Sequence, residues 1–131
     1  MSGAEPVERV TAIRNMFRVP IMKAIAIESA ADVARAHAYE HAADWLLFDA
    51  RNGGGGRAFD WKLIAAEKWS KPWMLAGGLT PDNVAEAIRT THARGVDVSS
   101  GVEKSRGEKD PTLIERFIAT ARKTFAEDQT K

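Results

Sequence analysis

Two short stretches carry most of the chemistry this chain can offer. Leu75-Ala76-Gly77-Gly78-Leu79 and Asp97-Val98-Ser99-Ser100-Gly101-Val102-Glu103 each run from apolar residues into small ones and turn towards a helix. Small residues let backbone N–H groups approach a ligand closely, and the start of a helix adds partial positive charge. Two such strand ends side by side make a clamp for phosphate, built from Gly77, Gly78, Ser99, Ser100 and Gly101. The plain alternative is that Gly78 permits a turn and the serines cap a helix. The paired occurrence favours phosphate.

Asp49 is the candidate for proton transfer. It ends the apolar run Trp45-Leu46-Leu47-Phe48 beside Asn52 and the glycine run Gly53 to Gly56. In α/β folds the C-terminal ends of strands are where sites form. A carboxyl group pocketed there can have its pKa raised and act as a general acid. Otherwise it is a turn aspartate capping the next segment. The glycine run is either a lid or phosphate cradle, or a loop without a task. Asp97, placed within a strand, either meets the substrate or pairs with Lys23 across the sheet. Lys23, inside an apolar run, stands where a Schiff-base enzyme places its amine. The ion pair is the preferred reading. His37 and His41 have the spacing of metal ligands on a helix but lack a third ligand of the usual pattern, so surface histidines are expected. Trp45, Trp61, Trp69 and Trp73 read as packing.

The elements that must hold these residues alternate along the chain. Val7, Val10, Ile13 and Phe17 mark one face of a first helix, which Pro20 ends. Strands are predicted at Ile21–Ile27, Trp45–Phe48, Pro72–Ala76 and Val96–Val98. Ser29 with Asp32 caps a second helix running to about Tyr39, and Asp60 caps a third. Thr80-Pro81 and Asp110-Pro111 place a cap before a proline at the first helical position. Val84, Ala87 and Ile88 face inward, as do Leu113, Ile114, Phe117, Ile118 and Ala121 of the last helix. The tail after Lys123 is expected to fray. Four strand–helix units follow one unpaired helix, which implies a parallel sheet in one α/β domain over residues 1–131. Four units are half what a closed eight-stranded barrel needs.

Composition narrows the function classes. With 131 residues the chain can bury one real core. A net charge of +1 without runs of one sign gives nucleic acid no basic face. Without cysteine there is no disulfide, thiol nucleophile or thiolate metal site. No run approaches the ~18 apolar residues of a membrane span, and the first six residues lack the apolar core of a signal peptide. A cytoplasmic protein with no membrane partner is expected.

Taken in order, Leu46-Leu47-Phe48-Asp49, the glycine run, Phe59-Asp60-Trp61, Leu75 to Val84, Gly95 to Glu103 and Gly107-Glu108-Lys109-Asp110 resemble the phosphoribosylanthranilate isomerase family of tryptophan biosynthesis. The Met22-Lys23-Ala24-Ile25 strand fits too. The resemblance covers residues 5 to 123 and is densest from 45 to 110. It implies a (β/α)8 barrel and an Amadori rearrangement of N-(5′-phosphoribosyl)anthranilate, a phosphorylated small molecule, with no metal or organic cofactor. It makes Asp49 the general acid at the furanose ring oxygen, and Gly77, Gly78, Ser99, Ser100 and Gly101 the phosphate grip. The matching stretch begins at the helix before the family's strand 5, so the expected fold class is a parallel (β/α) half-barrel from strands 5 to 8. Three departures stand out. The family's strand-1 cysteine base and its anthranilate-binding arginine have no counterpart. The glycine run lacks the usual threonine. Arg106 stands where proline is common. The implied chain is inactive alone and partners either a second copy or a complementing N-terminal half-barrel. The rival is a non-catalytic phosphate-binding module that self-assembles.

Overall fold

The computed structural model describes residues 6–17, 20–50 and 57–129. Apolar runs punctuated by proline, glycine and aspartate form strands, and the stretches with helical periodicity between them form helices. The elements are α1 (Val7–Phe17), β1 (Met22–Ala26), α2 (Ala30–Ala38), β2 (Trp45–Asp49), α3 (Arg57–Ala65), β3 (Trp73–Ala76), α4 (Val84–Thr91), β4 (Gly95–Val96), a 3-10 turn (Ser100–Val102), β5 (Glu103–Ser105), β6 (Glu108–Lys109) and α5 (Pro111–Gln129). Strands β1 to β4 form one parallel sheet in sequence order. This is the parallel sheet that the alternation of elements predicts and the α/β half-barrel that the resemblance implies.

Side chains alternate faces along a strand, and the register makes this alternation coherent across the sheet. Lys23, Leu46 and Trp73 are aligned, as are Ile25, Phe48 and Leu75. All six are buried, and the five apolar ones belong to the cluster that also takes in Val33, Ala36, Ile64, Val84, Ala87, Ile88, Phe117 and Ala121 from the helices. The opposite face carries Ala24, Ala26, Leu47, Asp49 and Met74, all partly or fully exposed. From α1, Val10 is buried in the core, and Val7 and Ile13 pack against it.

Several elements differ from the sequence expectation. Asp60 lies inside α3, which starts at Arg57, so it is not the cap. The Ser29–Asp32 box forms in one direction: Asp32 Oδ2 accepts from Glu28 N at 2.9 Å, and the Ser29 side chain makes no capping bond. Thr80 does cap a turn, its Oγ1 accepting from Asp82 N and Asn83 N at 3.2 Å each, but regular helix begins only at Val84. β4 ends at Val96, so Asp97 follows the strand rather than lying within it. Between β4 and α5 stands an antiparallel β5–β6 hairpin in a second sheet. Its run of charged residues has no apolar alternation to announce it. Asp110 caps α5 as expected, accepting from Thr112 N at 2.8 Å. Ile118 points outward, 44% exposed. The helix runs on to Gln129 because Thr124 is buried and Phe125 packs on the core, continuing the stripe of Phe117 and Ala121. Among the described residues no helix is long and apolar enough to cross a membrane.

Phe48 is fully buried, its ring 4.6 Å from that of Trp69 and 5.2 Å from that of Trp73. Phe48→Ala is expected to cost about 3–5 kcal/mol, a large part of the ~5–15 kcal/mol that holds a domain together. Urea unfolding measures it.

Candidate functional site

At the C-terminal ends of β2, β3 and β4 a cleft of about 140 Å³ is lined by Asp49, Gly77, Gly78, Asp97, Ser99, Ser100 and Gly101. The candidate acid, the phosphate-clamp residues and Asp97 converge there, and Lys23 does not. A larger cleft, about 410 Å³, lies at the other end of the sheet around Pro72, Trp73 and Arg94. It contains none of the candidates.

Asp49 is the last residue of β2 and is half-buried. Its register partners are Ala26 and Ala76. Its backbone is held on one side by Ile27 N, which donates to Asp49 O at 2.8 Å. On the other, Ala50 N donates to Ala76 O at 3.0 Å. With the backbone paired on both edges, strand alternation aims the carboxylate to the open face, beside the small side chain of Ala76.

The turn after β3 needs its glycines. Gly77 and Gly78 have φ of 97° and 65°, a region open to glycine at no steric cost. Asn83 locks this turn. Its Nδ2 donates to Gly78 O at 2.9 Å, and its Oδ1 accepts from Thr80 N at 2.8 Å. Sequence reasoning missed Asn83 as a supporting residue. The Thr80-Pro81-Asp82-Asn83 cap was the signal, since a side-chain amide there can reach backbone groups of the preceding turn.

The turn after β4 is pressed against the first. A Cβ on Gly101 would lie 1.7 Å from Leu79 O. Gly101 is glycine because the two turns touch there, backbone against backbone. The Ser99–Gly101 segment leads into a single three-residue 3-10 turn, not an α-helix. The expected help of a helix dipole is therefore absent. What remains for an anion is backbone N–H groups and the exposed hydroxyls of Ser99 and Ser100.

Asp97 also lines the cleft and is exposed, its N–H donating to Leu75 O at 2.8 Å. It does not pair with Lys23, because β1 and β4 are opposite edges of the sheet. Lys23 is fully buried on the helix-covered face, its Nζ 5.2 Å from the centre of the Tyr39 ring. Odd spacing separates Lys23 from Ala26, the register partner of Asp49, so the two side chains leave the sheet on opposite sides. That placement takes Lys23 out of the cleft and removes the support for a Schiff-base role. His37 is not a plain surface histidine: it stacks on Trp69 at 4.2 Å and meets Glu40 through Nδ1 at 2.5 Å. Asn52 and the glycine run Gly53 to Gly56 lie outside the described residues.

Against known proteins, the family model for N-(5'phosphoribosyl)anthranilate (PRA) isomerase matches residues 2–120. The chain belongs to this family. The N-(5'-phosphoribosyl)anthranilate isomerase of Rhodospirillum centenum is 50% identical over 129 residues, covering 92% of this chain and 60% of the relative. The chain thus spans about 60% of the length of the curated relatives it matches. Among solved structures, the phosphoribosyl anthranilate isomerase of Thermotoga maritima superposes with a TM-score of 0.77 at 35% identity, over 93% of this chain and 60% of that one. A phosphoribosyl anthranilate isomerase in complex with reduced 1-(o-carboxyphenylamino)-1-deoxyribulose 5-phosphate gives 0.76 at 34%, over 93% and 57%.

Gly101→Ala tests the contact between the turns. The methyl group has no space beside Leu79 O, so the turns must part. We expect a loss of about 1–3 kcal/mol, the scale of overpacking. Amide shifts should move at Gly77 to Leu79 as well as around residue 101. Normal stability with shifts confined to the Ser99 turn would contradict it.

Proposed function

We propose that this chain carries the proton donor and the phosphate grip of a phosphoribosylanthranilate isomerase, and corresponds to strands 5 to 8 of that barrel. The observation that carries the reading is the convergence of Asp49 with Gly77, Gly78, Ser99, Ser100 and Gly101 in one cleft at the C-terminal end of the sheet. Family membership and the sugar-phosphate complex of a relative support it.

The substrate is N-(5′-phosphoribosyl)anthranilate. Its phosphate docks on the two turns, held by backbone N–H groups and the serine hydroxyls. Asp49, as a carboxylic acid, gives its proton to the furanose ring oxygen. The C1–O bond then breaks, and the anthranilate nitrogen supplies the electron pair that forms the iminium. Loss of the C2 proton to a base gives the enol-amine, which becomes the aminodeoxyribulose phosphate. This chain has no cysteine to be that base. Activity therefore requires a complementing N-terminal half-barrel that brings one. Asp97, at the rim, is a further substrate contact.

A second reading is favoured by the sheet itself. Among the described residues, strands β1 and β4 are the edges of the sheet, and Leu47 and Met74 on its open face are only partly buried. Bare edges and apolar faces drive association. In this reading the chain is a non-catalytic phosphate-binding module, and two copies pair edge to edge.

Two measurements follow. The chain alone should turn over no substrate, and addition of an N-terminal half-barrel should restore turnover. In that complemented enzyme Asp49→Asn should reduce turnover about 10²–10⁴-fold, the usual worth of an acid, with little change in melting temperature. Near-normal turnover would remove Asp49 from the mechanism. Sedimentation of the chain alone should show a dimer. A cooperatively unfolding monomer that binds no apolar dye would rule out self-assembly.

A further inference from the structure

The hairpin that separates β4 from α5 closes on the phosphate turn through one side chain. Lys109 stands on β6 opposite Glu103 of β5. Its Nζ donates to Ser99 O at 2.9 Å, to Ser99 Oγ at 3.3 Å and to Glu103 Oε2 at 2.6 Å. An ammonium has three N–H donors and no acceptor, so each donor has a partner. Glu103 is held in turn: its Oε1 accepts from Gly107 N at 3.1 Å. The hydrogen bond from Lys109, then that from Gly107, keeps the Glu103 carboxyl below the ordinary glutamate range, so it is ionised at neutral pH.

This geometry dictates how Ser99 presents itself. A hydroxyl has one donor and two acceptor positions. With a Lys109 N–H pointing at Ser99 Oγ, the hydroxyl cannot aim its own proton back at the ammonium. The proton is left for another acceptor, and Ser99 lines the cleft. The carbonyl of Ser99 is fixed as well, accepting from Lys109 and from Val102 N at 3.3 Å. In a trans peptide the C=O and the following N–H point in opposite directions. Pinning Ser99 O to the hairpin thus turns the Ser100 N–H away from the hairpin.

We propose that Lys109 is a positioning residue for anion binding: with Glu103 as its anchor, it directs the Ser99 hydroxyl and the Ser100 N–H towards a bound phosphate without touching the phosphate itself. The inference rests on the phosphate reading given above. It goes further in naming a lysine that acts through a serine, on a hairpin with no other task in the site.

The test is a titration of the full chain with inorganic phosphate, followed by backbone amide shifts, alongside Lys109→Met, Lys109→Arg and Glu103→Gln. Phosphate should shift the amides of Gly77, Gly78 and Ser99 to Gly101 in the parent chain. Lys109→Met should weaken binding at least about tenfold, the scale of a lost charge-assisted hydrogen bond. Lys109→Arg should recover part of the loss, and Glu103→Gln should weaken binding while leaving the lysine in place. A purely structural lysine would change melting temperature and leave affinity alone. Equal affinity in the parent and in Lys109→Met overturns the proposal. So does tighter binding in Glu103→Gln, which would mean that a freed Lys109 meets the phosphate directly. If Lys109→Met does not fold, Glu103→Gln decides by itself. No shift in the parent chain overturns the phosphate site and the positioning role together, whereas parental binding with unchanged variants overturns only the latter.

Discussion

The arrangement depends on one constraint: each residue of a parallel strand puts its side chain on the face opposite to its neighbour's. In β2 this makes Phe48 and Asp49 inseparable. Phe48 is buried between the sheet and its helices, so Asp49 must emerge on the other side. The same parity in β1 sends Lys23 and Ile25 inward and Ala24 and Ala26 outward. A slip of one residue would reverse every assignment, burying the carboxylate and exposing the phenyl ring. Apolar burial at about 25 cal/mol per Å² over five aligned apolar side chains makes that slip too costly. The energy that builds the core also aims the Asp49 carboxylate.

The C-terminal rim of the sheet needs more than pairing, because β4 contributes only two residues to the sheet. Its end is fixed by a series of local contacts: the Asp97 N–H on Leu75 O, the backbone of Gly101 against Leu79 O, and the hairpin closed by Lys109. Asn83 does for the β3 turn what Lys109 does for the β4 turn, tying a backbone carbonyl to a side chain from the next element. Both turns are thus held from behind, which leaves their cleft-facing groups free of structural duty. Neither Asn83 nor Lys109 is among the residues that line the cleft.

Legibility in the sequence followed the physics of each signal. The strands and the caps at Thr80 and Asp110 were readable because proline, glycine and apolar runs act locally. Asp49 and the glycine and serine turns were readable because strand ends are marked by the same punctuation. Pairing of Lys23 with Asp97 fails because β1 and β4 are opposite edges of the sheet, which no local pattern reveals. The β5–β6 hairpin was invisible for a different reason. Its residues are polar on both faces, so no apolar period betrays it, and its hold on Ser99 comes from a lysine ten positions away. The extension of α5 was legible but discounted. Phe117, Ala121 and Thr124 keep helical spacing, and a buried threonine, its hydroxyl bonded to Thr120 O at 2.7 Å, fills an inward position as readily as an aliphatic residue.

The open face of the sheet has a gradient along its strands. On β2 it passes from Trp45 through Leu47 to Asp49, and on β3 Met74 precedes the turn that begins at Gly77. An apolar floor therefore rises to a polar rim within three side chains. On the flanking strands the same face is lined by Met22, Ala24, Ala26 and Gly95, and a Cβ at Gly95 would come within 3.0 Å of the Met74 side chain. Towards the rim the flanking residues are small, while Met22, beside Trp45, continues the apolar floor onto β1. Ligand sites combine an apolar wall with a few fixed polar groups, and this surface has that division.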